Sequence, residues 1–245
     1  MRNQSEVLNL VKDLSDYQGN CNIPQYIKLG SNYVVEKYLG EDLTQEVYDS
    51  LSEEEKDGIA RDMADFLVYL HAKHSPGGKE QLDRNRNIDE ILEHIKPLQT
   101  EDEQKDLAAK IEWFKNRDTN DEVCVLTHSD IRGQNVLYNK ETKKVAIIDF
   151  ELMRDANIYY DFVPAAAASF GLDYGMFFKM INYYNATSEY KVNAEKIKLL
   201  HELGIWDECV RCSIADGNKQ LEKDRYERTK EEVKRLNDAY ERSNK

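Results

Sequence analysis

A switch in hydrophobic period near residue 123 limits what this chain can fold into. Before it, apolar residues recur at helical spacing. Ile59, Met63, Phe66, Leu67 and Leu70 share one face, behind a Ser52-x-x-Glu55 capping box. Ser75-Pro76-Gly77-Gly78 stops that helix. Two further helices are predicted. One runs through Ile88, Ile91, Leu92 and Ile95 and is closed by Pro97; the other carries Leu107, Ile111 and Phe114. Then come three compact runs rich in β-branched residues: Val123–Leu126, Val136–Tyr138 and Val145–Ile148. After Phe162 helical spacing returns, around Phe177, Ile181 and Tyr184, around Ile197, Leu200 and Leu203, and again from Ile205.

The segment before residue 43 reads as a helix over 5–14 and two short strands, Tyr26–Leu29 and Tyr33–Leu39, joined by Gly30-Ser31-Asn32. Short strands set among helices define an α+β chain. The tail from Lys219 is nearly all charge, with only Leu221, Val233, Leu236 and Tyr240 as apolar positions, so a solvated terminal helix is expected.

Charge narrows the partners. Against 34 Lys and Arg stand 47 Asp and Glu, a net charge of −13. Such a surface repels phosphate backbones and attracts cations, so nucleic acid is not an expected partner. No stretch approaches the ~20 apolar residues of a membrane span, and the N-terminal segment has no apolar signal-peptide centre. A cytoplasmic protein with no membrane partner is the expectation. Cys21, Cys124, Cys209 and Cys212 are too few for a disulfide scaffold. Cys209-x-x-Cys212 lacks a second pair to complete a zinc site, and both sulfurs are expected on one buried helical face. His71-x-x-His74 reads as a solvated helix end, since two ligands do not make a zinc site.

The chemistry concentrates in residues 127–151, THSDIRGQNVLYNKETKKVAIIDFE. In phosphoryl transfer an aspartate beside the acceptor hydroxyl orients it and can take its proton. An asparagine carbonyl and a second carboxylate supply hard oxygen ligands for Mg²⁺ on the nucleotide phosphates. Asp130, Asn135 and Asp149 are the candidates for these three tasks. With a hairpin turning through Asn139–Lys144, positions 135 and 149 are equidistant from residue 142 and are expected to face each other. Each residue alone would read as an ordinary turn former; the set with its strand context points to a site.

His128-x-Asp130-x-x-x-x-Asn135 followed by Ile147-Ile148-Asp149-Phe150-Glu151 resembles the catalytic and metal loops of the aminoglycoside phosphotransferase and choline kinase-like superfamily. Asp161, twelve residues beyond Asp149, resembles the aspartate that holds the catalytic loop there. Tyr69-Leu70-His71 and the strand leading into Gly40-Glu41-Asp42-Leu43 also resemble the family, the latter as its interlobe hinge. The similarity spans roughly residues 5–185. It implies a protein-kinase-like two-lobe fold, with a truncated small β lobe over 1–40 and a mainly helical large lobe over 41–245.

The resemblance further implies Asp130 as catalytic base, Asn135 and Asp149 as Mg²⁺ ligands, and His128 as a brace of the loop. The backbone at Lys37, Tyr38 and Leu39 would meet the base of an ATP or GTP donor. Glu6 falls where the family's regulatory-helix glutamate pairs with a phosphate-binding lysine. The implied acceptor is a hydroxyl on a small, cationic, aminoglycoside-like or choline-like molecule. Glu151 and Asp155 either face that acceptor or are plain surface charge. The chain departs from the family in having no G-x-G-x-x-G and no lysine-bearing strand before the first helix. A shortened chain or a catalytically impaired binding protein is therefore the alternative expectation. A protein kinase fits less well, because no activation segment or Ala-Pro-Glu follows Asp149.

Overall fold

The computed structural model describes residues 12, 14, 16–24, 26–29, 34–36, 39–73, 88–163, 173–216 and 219–244. Most of the helix expected over 5–14, with Glu6, lies outside them, as do Lys37 and Tyr38. The architecture is α+β, with a small strand lobe and a mainly helical one.

Strands β1 (Tyr26–Leu29) and β2 (Val34–Glu36) pair antiparallel, with an irregularity between Tyr26 and Lys28. A further strand, β3 (Glu41–Asp42), follows directly on Gly40. Helix α1 spans Gln45–Asp49 and is capped by Thr44, whose hydroxyl accepts from the Val47 N–H. Helix α2 spans Glu53–Lys73. The expected capping box starts it: Glu55 accepts from the Ser52 N–H at 3.0 Å, and Ser52 Oγ accepts from the Glu55 N–H at 3.3 Å. Helices α3 (Ile88–Ile95) and α4 (Glu101–Asn116) follow, the second with its own Thr100–Glu103 capping box.

The three expected strands are present as β4 (Cys124–Thr127), β5 (Val136–Asn139) and β6 (Lys144–Ile147). A strand that was not expected, β7 (Arg154–Asn157), pairs antiparallel with β4. Strand β3 pairs with β5, which pairs with β6, giving a three-stranded sheet. Asn22 extends that sheet. Its N–H donates to Val145 O at 2.7 Å, and its carbonyl accepts from the Ile147 N–H at 3.2 Å. The segment around Asn22 is thereby tied to the β5–β6 hairpin.

Gly40 shows why the chain leading into β3 runs where it does. Its φ is +152°, and an added Cβ would stand 2.6 Å from the backbone carbonyl of Tyr138. Only glycine lets β3 come this close to β5 without strain.

Among the described residues, the helices α5 (Tyr174–Thr187), α6 (Ala194–Asp216) and α7 (Lys219–Ser243) follow. Tyr48 of α1 donates to Asp173 Oδ2 at 2.9 Å, while Asp173 Oδ1 caps α5 by accepting from the Met176 N–H. The main core packs α2 and α5 against the strands through Phe66, Leu67, Phe150, Phe162, Phe177 and Ile181. A second cluster joins α3, α4, α6 and α7 through Ile91, Ile95, Leu107, Leu203, Trp206 and Tyr226. Truncating a core phenylalanine such as Phe66 to alanine would cost about 3–5 kcal/mol.

Three expectations change. The helices expected on either side of Gly204 are one continuous helix, α6. An interior glycine costs about 1 kcal/mol against alanine, and burial of Leu203 and Trp206 around it offsets that. The charged tail is not merely solvated, because Tyr226, Leu236 and Ala239 of α7 are buried. Cys209 is buried but Cys212 is only half-buried, so the two sulfurs do not share the core. Among the described residues no helix is long and apolar enough to cross a membrane.

Candidate active site

The site is built on the loop leaving β4. Thr127 closes the strand: its hydroxyl donates to Arg154 O at 3.0 Å and accepts from the Ser129 hydroxyl at 2.7 Å. Ser129 then takes a left-handed conformation with φ +67°. Asp161 holds the loop in that turn. Its Oδ1 accepts from the Ser129 N–H at 2.6 Å and its Oδ2 from the His128 N–H at 3.0 Å. His71 Nε2, on α2, lies 3.0 Å from the same Oδ2. Asp161 is fully buried, and these donors make a buried carboxylate tolerable.

His71 is therefore not the solvated helix end expected from the sequence. Both ring nitrogens are engaged in the core, the second with the Tyr184 hydroxyl at 2.8 Å. Helical spacing carried the signal: Leu67, Leu70 and His71 stand at i, i+3 and i+4 on the buried face.

His128 braces the loop from within. Burial pushes its pKa below the ordinary histidine value. The neutral ring has a consistent tautomer, with Nε2–H donating to Ile148 O at 3.0 Å and Nδ1 accepting from the Asp130 N–H at 3.3 Å. Phe150 packs against its ring, the centroids 4.7 Å apart.

Asn135 ends the short 3₁₀ turn Gly133–Asn135, its N–H bonded to Arg132 O at 2.7 Å. Its amide nitrogen donates to Asp130 twice, to the backbone oxygen at 2.8 Å and to Oδ2 at 2.9 Å. Two of the three candidates are therefore in direct contact. Arg132 Nε stands 3.2 Å from the same Asp130 Oδ2, a contact that the sequence did not suggest.

Asp149 is placed differently from the expectation. The β5–β6 register pairs Val136 with Ile147 and Asn139 with Lys144, so the hairpin centre falls between residues 141 and 142. Asn135 thus faces Ile148, whose N–H donates to Asn135 O at 3.0 Å. Asp149 lies one residue further, with φ +64° and an exposed side chain. The turn sets this register. Asn139 Oδ1 accepts from the N–H groups of Glu141 and Thr142, and Lys143 adopts φ +55°. Ile148 is clamped on both sides, by Asn135 and by His128. That clamp fixes where Asp149 begins. Left-handed backbone at Ser129 and Asp149, both non-glycine, costs of order 1–3 kcal/mol each and marks functional loops more often than ordinary ones.

The donor set suits a hard cation. Both N–H contacts of Asn135 go to Asp130, which leaves its Oδ1 as the atom that could take a cation, and the Asp149 carboxylate is exposed. Among the described residues no three His, Cys, Asp or Glu side chains form a ready cage. Mg²⁺ fits two protein oxygens when phosphates and water complete its shell. Of the residues expected at the nucleotide base, Leu39 is buried beside Gly40, and Lys37 and Tyr38 fall outside the described residues. Glu151 and Asp155 are exposed.

Residues 6–182 match the model of the Phosphotransferase enzyme family, APH, and the chain belongs to that family. Solved structures agree on the fold. The GDP and kanamycin complex of an APH(2'') phosphotransferase has a TM-score of 0.62 at 18% identity, covering 94% of this chain and 84% of that one. A mutant aminoglycoside 2'-phosphotransferase in complex with GDP gives 0.65 at 18% identity, over 98% and 85%. The choline kinase LicA from Streptococcus pneumoniae gives 0.53 at 13% identity, over 94% and 80%. At these identities the likeness shows a shared kinase-like fold. No curated protein matches the chain by sequence.

Proposed function

We propose that this chain transfers the γ-phosphate of ATP or GTP to a hydroxyl of a small cationic molecule. The observation that carries the reading is the contact of Asn135 with Asp130, on a loop that Asp161 anchors from the core. Asp130 is the base. Asn135 and Arg132 both bind its Oδ2, and among the described residues Oδ1 makes no hydrogen bond. Oδ1 is then the atom that orients the acceptor hydroxyl and takes its proton. Asn135 Oδ1 and the Asp149 carboxylate hold Mg²⁺, which when bound neutralises charge on the nucleotide phosphates. The backbone of Lys37, Tyr38 and Leu39 meets the nucleotide base, and the lobes divide near residue 40.

The nucleotide part of this reading is supported by the GDP, ADP and ATP complexes among the structural neighbours. The acceptor class is supported by the kanamycin and streptomycin complexes and by a choline kinase. The net charge of −13 and exposed Asp149, Glu151 and Asp155 favour a cation near the loop.

The test is transfer of label from γ-³²P-ATP and γ-³²P-GTP, with MgCl₂, to a panel of aminoglycosides, amino-sugars, choline and ethanolamine. A labelled small-molecule product is expected, reduced at least about 100-fold in Asp130→Asn, the usual scale for a lost general base. Equal labelling by the variant would overturn the role of Asp130. Tight Mg²⁺–nucleotide binding without any labelled product across the panel would favour the second reading, a binding protein that kept the family's fold.

A further inference from the structure

Arg132 is the basic residue in contact with the candidate base. Its Nε lies 3.2 Å from Asp130 Oδ2, and its side chain is 47% exposed. The backbone around it is fixed. Ile131 before it is fully buried, and Arg132 O accepts from the Asn135 N–H at 2.7 Å. The side chain therefore projects from an anchored loop, with its position set by the same turn that sets Asn135. Among the described residues its two terminal nitrogens make no hydrogen bond, so the outer edge of the guanidinium remains available as a two-pronged donor.

From this geometry we infer that Arg132 binds the phosphoryl group in transfer, with its Nε kept on Asp130 and its outer edge on the phosphoryl oxygens. The inference rests on the reading of this site as a phosphotransferase. An acceptor oxygen held by Asp130 lies about 2.7 Å from the carboxylate, and the phosphorus it attacks lies roughly 3–3.5 Å further. A guanidinium already touching that carboxylate spans the gap. Its planar fork matches phosphate oxygens in a bidentate way that a lysine cannot. The electrostatics agree, because Asp130 and Asp149 meet a polyanionic nucleotide here and a cation at the junction offsets their repulsion.

The step balances without a further reactant. The bond from the γ-phosphorus to the β–γ bridging oxygen breaks, and the nucleoside diphosphate leaves with the electron pair. A bond forms from the γ-phosphorus to the acceptor oxygen, and the hydroxyl proton passes to Asp130 Oδ1. Arg132 stays protonated throughout.

This assignment separates triphosphate from diphosphate recognition. The test is calorimetric titration, with MgCl₂, of the β,γ-imido analogues of ATP and GTP and of ADP and GDP. It compares the wild-type chain with Arg132→Gln and Arg132→Lys. Expected is about a tenfold loss of triphosphate-analogue affinity in Arg132→Gln, diphosphate affinity within twofold of wild type, and a smaller loss in Arg132→Lys. If Arg132→Gln binds the triphosphate analogue like wild type, the inference is wrong and the phosphotransferase reading stands. Equal losses for both nucleotides, with a lower Tm, would make Arg132 a brace of the loop and also overturn it. If the wild type binds no nucleotide, the phosphotransferase reading fails and takes this inference with it.

Discussion

His71 Nε2 on α2 lies 3.0 Å from Asp161 Oδ2, both side chains fully buried, and the same Oδ2 accepts from the His128 N–H. The core helix α2 is in this way bonded, through one carboxylate, to the loop that carries Asp130. Asp161→Ala would strand the N–H groups of His128 and Ser129 and one nitrogen of His71. Breaking a buried ionic hydrogen-bond set in this way costs about 3–5 kcal/mol. His71→Phe keeps an aromatic ring but leaves Asp161 and the Tyr184 hydroxyl each short of a partner, for about 2–3 kcal/mol. Urea unfolding measures both. Losses under about 0.5 kcal/mol, the range of ordinary surface substitutions, would show that the contact does not hold the loop.

Gly40→Ala tests the close approach of the segment before β3 to the hairpin. The new Cβ meets the Tyr138 carbonyl at 2.6 Å, and φ +152° strains any L side chain. The expected cost is about 2 kcal/mol from strain and overpacking. Because Leu39 precedes this position, nucleotide affinity should fall along with thermal stability. An unchanged Tm would contradict the packing described for β3 on β5.

Glu103 predicts an acid-sensitive link between helices. Its carboxyl is held down to about 2, first by the Lys230 side chain on α7 and then by the Thr100 N–H of the capping box. The lowered value in the fold means that the unfolded chain binds the proton more readily. Its stabilisation is therefore present in full above the ordinary value of 4.5 and is lost as pH falls toward about 2. Glu103→Gln should have a lower Tm than wild type at pH 7, and the gap should close as pH drops below 4.5. A gap that is constant with pH would remove the charge from the explanation.

Where the sequence has one strong period, it announces its structure. The stripe from Ile59 to Leu70, the Ser52–Glu55 box and the β-branched runs of β4, β5 and β6 all read directly, whereas the contact of Asn135 with Asp130 did not, since Asn135 was expected to face Asp149. The misses have separate physical causes. Arg154–Asn157 has no alternation, so β7 is defined by its partner β4. Glu41–Asp42 is a strand only because β5 lies beside it. The hairpin register differs by one residue from that expected, because backbone bonds to Asn139 Oδ1 and left-handed Lys143 shift the turn. In α7, Tyr226 and Ala239 add to a stripe that looked too thin to pack.

The central claim is that Asn135 and Asp149 hold a metal-bound nucleotide beside Asp130. Asp149→Gly removes the carboxylate at a backbone position, φ +64°, that glycine adopts without strain. Titration of ATP and GTP into both proteins, with MgCl₂ and with EDTA, tests it most directly. The prediction is that Mg²⁺ strengthens wild-type binding of at least one nucleotide by about tenfold or more, the scale of one charged contact, and that the variant loses this dependence. A wild-type chain that binds neither nucleotide, or a variant with undiminished Mg²⁺ dependence, would contradict it.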